Sequence, residues 1–351
     1  MTGPRVQTDA PPAGIARALR ERAGRPPCPS FAEVERQAHA VLPELAALRP
    51  TVGATPVIPV PSRAGKGTVW LKMEATNATG SMKARTAYAL LCGVVARAGT
   101  RAVRLTEYSG GSLALALAEF CGELHLDLHL VVPHGASQRL RRQLHTQGAK
   151  VSTGLPGTGF LGAMEAAVRV AAEENRELLL QHCARDVVAM HREHTGAELV
   201  DQLRQAGVRP EAFAAAVGSG GSVIGIAQAL WPCEPDCRIL ALFPAEAPYG
   251  DPAPPGEAPR MSGTGGLGHG LRQPLLEPHE SRIELCTVAY PEALVAMRHL
   301  RATHGVAVCG SGAGAWLAAS TVVDAAAPVA AAVALIAARG TAEEWAHADA
   351  R

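Results

Sequence analysis

Thr79-Gly80-Ser81-Met82-Lys83-Ala84-Arg85 is the stretch on which the reading of this chain turns. The 351 residues contain only four lysines, Lys66, Lys72, Lys83 and Lys150, against a large excess of arginine. Lys83 stands between a Gly-Ser turn and a helical stretch. A lysine partly withdrawn from water, beside the positive end of a helix dipole, loses its proton more readily than a surface lysine. Lys83 is therefore a candidate Schiff-base nucleophile. Taken alone, the same loop fits an ordinary surface lysine at a helix start, so the support has to come from elsewhere.

Around this stretch, short apolar runs alternate with amphipathic segments. Residues 69–73, 103–105, 128–132, 178–181, 214–217, 239–243 and 333–336 read as strands, and 84–97, 112–121 and 136–147 as helices. Such alternation implies an α/β fold, with mostly parallel sheets covered by helices on both faces. The length suggests two lobes. Ligands of such sheets bind in loops beyond the carboxyl ends of the strands.

Two further loops at such places suit anions. Ser109-Gly110-Gly111-Ser112 opens a helix with amides bare of side chains, a cradle for a carboxylate or phosphate. Gly218-Ser219-Gly220-Gly221-Ser222 brings small residues and two hydroxyls to another helix start. It lacks the Gly-Lys-Ser/Thr ending of a nucleotide P-loop and the glycine spacing of a dinucleotide fold. A dianionic monophosphate fits it better than a nucleotide.

A formal net charge of +1 argues against nucleic acid or an anionic membrane as the main partner. No signal peptide is apparent at the amino end, and residues 325–338 are too short to span a bilayer. They read as a helix end, a proline turn and a buried strand. Eight scattered cysteines favour reduced cytosolic thiols; Cys233 and Cys237 lack a second ligand pair, so no metal site is expected. Residues 1–29, rich in proline, arginine and alanine, suggest a loosely ordered arm. Ser30 to Glu33 matches a capping box opening a helix that runs to Leu42. No role is assigned to residues 1–50.

A reactive lysine, a carboxylate cradle and a monophosphate cradle, in that order, form a constellation. In it the sequence resembles the pyridoxal-phosphate enzymes of fold type II, the cysteine synthase and tryptophan synthase β-subunit superfamily, and the cysteine synthase branch in particular. Residues 52–57 resemble I-G-x-T-P-L, and 71–85 resemble L-K-x-E-x-x-N-P-x-G-S-x-K-x-R, which places the cofactor lysine on Lys83. Residues 109–112 resemble the substrate loop T-S-G-N-T, 218–222 the phosphate loop G-T-G-G-T, and 266–270 the G-I-G-x-G segment over the cofactor face. Gln181, followed by residues 191–196, resembles the glutamine that helps hold the substrate carboxylate.

The resemblance implies two three-layer αβα lobes with the active site in the cleft between them. The smaller, substrate-carboxylate lobe spans 77–184, and the larger, phosphate-binding lobe spans 51–76 plus 185–345. It implies pyridoxal 5'-phosphate on Lys83, with Ser112, Gly218, Ser219, Gly220, Gly221, Ser222 and Arg339 at the cofactor, and Ser109, Gly110, Gly111, Gln181 and Gly268 at an amino-acid substrate. The reaction implied is β-replacement on an O-activated L-serine through an aminoacrylate, in a cytoplasmic homodimer, possible products including nonproteinogenic β-substituted alanines. The alternatives are a β-eliminating serine/threonine dehydratase or lyase, and a catalytically decayed cofactor-binding protein. The departures motivate the alternatives: Ser112 stands for the family asparagine, Leu113 for a threonine, Ala114 for a glycine, and Arg339 falls near a Ser or Thr that meets the pyridine nitrogen. An arginine there disfavours a fully developed quinonoid.

Overall fold

The computed structural model describes residues 11–350, apart from Arg25, Pro27, Pro29, Glu257 and residues 327–329. Helices α1 (Ala13–Ala23), α2 (Phe31–Val41) and the short α3 (Leu45–Leu48) precede a hairpin of β1 (Val57–Pro61) and β2 (Thr68–Lys72). Helix α4 (Lys83–Ala98) then enters a second unit: β3 (Arg104–Tyr108), α5 (Ser112–Glu123), β4 (Asp127–Val132), α6 (Gln138–Thr146), β5 (Lys150–Thr153), α7 (Gly159–Glu173) and β6 (Glu177–Leu178). The chain returns through α8 (Arg185–Met190), a π-helical turn (His191–Gly196) and α9 (Ala197–Gln205). It closes with β7 (Ala212–Ala216), α10 (Gly221–Leu230), β8 (Arg238–Pro244), β9 (Glu284–Val288), α11 (Tyr290–His304), α12 (Gly310–Ala325), β10 (Ala331–Leu335) and α13 (Ala342–Asp349).

Six strands form one sheet in the order β1-β2-β10-β7-β8-β9, parallel except for the β1–β2 hairpin. Four form a wholly parallel sheet, β5-β4-β3-β6. The period of two along a strand explains how β7 serves both faces of the large sheet. Ala212 and Ala214 pack with Ala313, Ala315 and Ala319 of α12. Phe213 and Ala215 pack on the other face with Val223, Ile224 and Ile226 of α10. Both faces of a parallel sheet must be covered, and here both are.

The strands absent from the sequence reading, β1, β5 and β9, are all edge strands. Edge strands need no continuous apolar run: β1 carries two prolines, and β9 is largely exposed. Residues 325–338 divide as expected, with α12 ending at Ala325 and β10 beginning at Ala331; the proline between them lies outside the described residues.

The amino-terminal segment differs from the expected loose arm. Residues 1–10 lie outside the described residues, but α1 is docked on the smaller sheet's unit. Ile15 and Leu19 are buried with Leu161 and Met164 of α7 and with Tyr108. The Ile15 amide donates to Glu165 Oε2 (2.7 Å), and Arg22 Nη1 donates to the Leu178 carbonyl (2.7 Å). Proline and arginine content hid a short amphipathic helix that is stable because a partner face covers it. The Ser30 cap is present: its side chain accepts from the Glu33 amide, and α2 follows. The other half of the expected box is replaced by Glu193, whose carboxylate accepts from the Phe31 and Ala32 amides.

Candidate active site

Lys83 opens α4, and the turn before it is tied to the large sheet. The Met82 amide donates to the Ala337 carbonyl (2.8 Å) just past β10, and Ser81 bridges to Ala338. The Lys83 side chain reaches the smaller sheet instead, where Nζ donates to Gln181 Oε1 at 3.2 Å. The lysine thus spans the two units. Burial pushes its amine down to about 8, while the carboxylate of Glu107 acts in the opposite direction.

Two helix starts supply the cradles. α10 begins after Gly220, whose φ of +90° is left-handed, and no side chain caps it; its first turn carries no acidic residue. The Gly221 amide donates to the Ser219 hydroxyl at 3.5 Å, and the amides that follow it at the helix start suit an anion, with Ser219 and Ser222 buried beside them. α5 begins after Gly111, also without a side-chain cap or an acidic first turn. The Ser109 hydroxyl accepts from the Gly111 and Ala114 amides (both 3.3 Å), holding that loop in shape. The loop at 263–270 lies against the first cradle. The Gly265 amide donates to the Val217 carbonyl (3.0 Å), and a Cβ on Gly218 would stand 2.7 Å from the Gly263 carbonyl oxygen. Gly218→Ala is accordingly expected to displace the loop and weaken cofactor affinity by about tenfold or more, roughly the 1.4 kcal/mol of one lost hydrogen bond. Cofactor titration followed by absorbance measures this.

The remaining expected residues divide. Gly268, buried with φ +71°, has Pro255 so close that any Cβ would collide, and its neighbour Leu267 packs with Tyr108 of the smaller unit. Ser112 is exposed at the head of α5. Leu113 and Ala114 face away from the cradle into the core shared with α4, so replacing a polar residue at 113 is a packing choice. Arg339 is exposed, and its carbonyl accepts a hydrogen bond from Trp345 Nε1 (2.8 Å). The backbone past β10 is pinned by the Met82 and Cys309 amides, which turns residue 339 outward.

Several residues of the site escaped the sequence reading. Tyr108 and His182 stack (centroids 5.6 Å apart), with the hydroxyl 2.7 Å from Nδ1, and Phe160 meets Tyr108 edge-on. Burial, aided by the Lys83 cation, pushes His182 down to about 3, so its ring is neutral at physiological pH. Beneath Lys83, Arg85 grips the fully buried Glu74 with two hydrogen bonds (2.7 and 2.8 Å) and also reaches Glu198. The signal for that pair was present, two charges in otherwise apolar surroundings, but their meeting depends on the fold.

Two mostly parallel sheets, a partly desolvated lysine bonded to Gln181 of the smaller unit, and two glycine-serine helix starts define an α/β class with the features of an anion-binding, lysine-bearing site. The chain belongs to the pyridoxal-phosphate dependent enzyme family, which it matches over residues 48–338. It is 27% identical over 206 residues to cysteine synthase B of Escherichia coli (strain K12), covering 58% of this chain and 67% of the relative. In structure it is similar to O-ureido-L-serine synthase (TM-score 0.74, 22% identity, 85% of this chain and 92% of that one). It is also similar to the O-acetylserine dependent cystathionine beta-synthase from Helicobacter pylori (TM-score 0.71, 24% identity, 83% and 94%). The architecture is that of the fold type II enzymes, and the cofactor is pyridoxal phosphate. The residues present fit it: an uncapped helix start suits its phosphate, and an amine lowered to about 8 suits its aldehyde.

Proposed function

We propose that the protein carries out β-replacement on an O-activated L-serine. The observation that supports this reading is the Lys83 Nζ to Gln181 Oε1 hydrogen bond, which joins the proposed base to the glutamine proposed to hold the substrate carboxylate. The nature of the relatives supports it, since cysteine synthases recur among them and the Helicobacter pylori neighbour is named for O-acetylserine.

Bound pyridoxal phosphate supplies the electron sink for a carbanion at the substrate's α-carbon. The chain's residues do the rest. The amides of Gly218 to Ser222 would hold the phosphate, and Ser112 would offer a hydroxyl to the cofactor ring. Gly110, Gly111, Ser109 and Gln181 hold the substrate carboxylate. Lys83 takes the α-proton and later returns it; an amine with a pKa near 8 does both at neutral pH. Tyr108 and His182, neutral and stacked, wall the carboxylate side without adding charge. Gly268 would border the bound cofactor. In this reading 77–184 forms the substrate-carboxylate lobe, and 51–76 with 185–345 the phosphate lobe.

Among the described residues no helix is long and apolar enough to cross a membrane. We place the enzyme in the cytoplasm as a homodimer, in keeping with eight free thiols and with the cysteine synthase resemblance. The test supplies the purified protein with O-acetyl-L-serine and, in turn, sulfide, a thiol and an amine. A β-substituted alanine that carries the offered nucleophile is expected by mass spectrometry. Release of keto acid and ammonia alone, whatever is offered, would make the protein an eliminating lyase.

A further inference from the structure

Glu107, near the carboxyl end of β3, is fully buried, and neither of its carboxylate oxygens has a hydrogen-bond partner of ordinary geometry. A buried carboxylate in that condition calls for an explanation. The amides of Tyr108, Leu180 and Gln181 approach it and favour its charge without forming regular hydrogen bonds. Two of the three belong to the segment that delivers Gln181. Leu180 there is left-handed (φ +53°, ψ +66°), an uncommon conformation for a leucine, and Gln181–Cys183 follows as a right-handed turn. A left-handed residue followed by right-handed ones points successive N–H groups at one place, forming a nest for an anion. Sheet register brings nest and carboxylate together: Thr106 pairs with Leu178, and the Leu179 amide donates to the Thr106 carbonyl (3.0 Å).

We propose that Glu107 is a positioning residue, its carboxylate occupying the Leu180–Gln181 nest and so holding the Gln181 side chain on Lys83. It acts through Gln181 and touches no substrate. The nest also accounts for the left-handed Leu180, whose backbone cost is offset when its amide finds an anion. The titratable and charged groups facing Glu107 are Arg22 from α1, Lys83 at the head of α4 and Tyr108 on its own strand; His182 and Cys183 beyond β6 act on Lys83 and Tyr108 in turn. Arg22 favours the charged form, but burial outweighs it and pushes the carboxyl up to about 8. The grip on Gln181 therefore strengthens as pH rises through about 8.

This inference rests on the carboxylate-holding role proposed for Gln181, and the test separates the two. The holoenzyme's dissociation constant for L-alanine, which has no β leaving group, is read from the cofactor absorbance over about pH 6.5 to 9.5. Wild type, Glu107→Gln, Gln181→Ala and the double variant complete a cycle. Glu107→Gln is expected to weaken binding about tenfold above pH 8 and to remove the affinity step centred there, while Gln181→Ala adds less than about threefold in that background. Additive losses, wild-type binding by Glu107→Gln, or a step of unchanged size each overturn the proposal. Gln181→Ala silent in both backgrounds overturns the carboxylate role itself, and this inference with it. If Glu107→Gln does not fold, Glu107→Asp, which keeps the charge but withdraws it from the nest, takes its place in the cycle; coupling to Gln181→Ala supports the proposal and additivity overturns it.

Discussion

Lys83→Ala is expected to abolish turnover, with a loss of at least about 10³-fold, because one side chain supplies both the covalent anchor and the proton carrier. The purified variant should bind pyridoxal phosphate only reversibly, and gel filtration should strip the absorbance band that the wild type keeps. A companion measurement uses the wild-type apoprotein. Capture of the cofactor's aldehyde requires the neutral amine, so its rate should rise through pH about 8, well below the 10.5 of a free lysine. The sign for stability follows from the same depression. Between about 8 and 10.5 the unfolded chain binds the extra proton, so the lysine's contribution is fully present above 10.5 and is lost as pH falls through about 8. Removing Lys83 should flatten that part of the apoprotein's stability profile, measured as thermal midpoint against pH. A variant that keeps both its band and its turnover would remove Lys83 from the site altogether.

Arg85→Met carries the second large effect, and it is structural. Arg85 is 1% exposed and Glu74 is not exposed at all. Around them, Thr55 donates to Glu74 Oε1 (2.7 Å), and Lys72 Nζ donates to Glu198 Oε1 (2.5 Å) and to the Thr55 carbonyl (2.8 Å). Removing the guanidinium leaves the Glu74 carboxylate buried without its cation, a cost of about 3–5 kcal/mol. The urea midpoint should fall accordingly. Removing the second charge as well, in Glu74→Gln with Arg85→Met, should recover part of the loss, since the penalty belongs to the uncompensated charge. Lys83 lies two residues from Arg85 on the same turn, so cofactor affinity is expected to fall with stability.

What could be read without the fold was the chemistry carried by short stretches of chain. The two glycine-serine loops could be recognised as helix starts because bare amides and small residues are local properties, and both helices do begin there after a glycine. The central strands could be recognised because burial on both faces forces a continuous apolar run, as in β4 and β8. The edge strands β1, β5 and β9 escaped for the converse reason, being half exposed and free to carry polar residues or proline.

Which side chains meet depended on long-range packing. Arg339 is exposed just beyond a segment pinned by two backbone hydrogen bonds past β10, a placement its sequence neighbours do not reveal. Leu113 packs into the core that α4 covers, and residues 13–23 of the expected arm form a helix because α7 and Tyr108 offer it an apolar face. Glu107 was visible in its loop from the start; its isolation, and the left-handed Leu180 beside it, arise only when β6 is laid against β3. The sequence by itself determined the family and pointed to Lys83 and the two glycine-serine helix starts as its candidate site, since each is written in contiguous residues. Only the tertiary structure decided the burial of Glu107, the neutrality of His182 and the outward course of Arg339, since desolvation depends on neighbours contributed by segments distant in the chain.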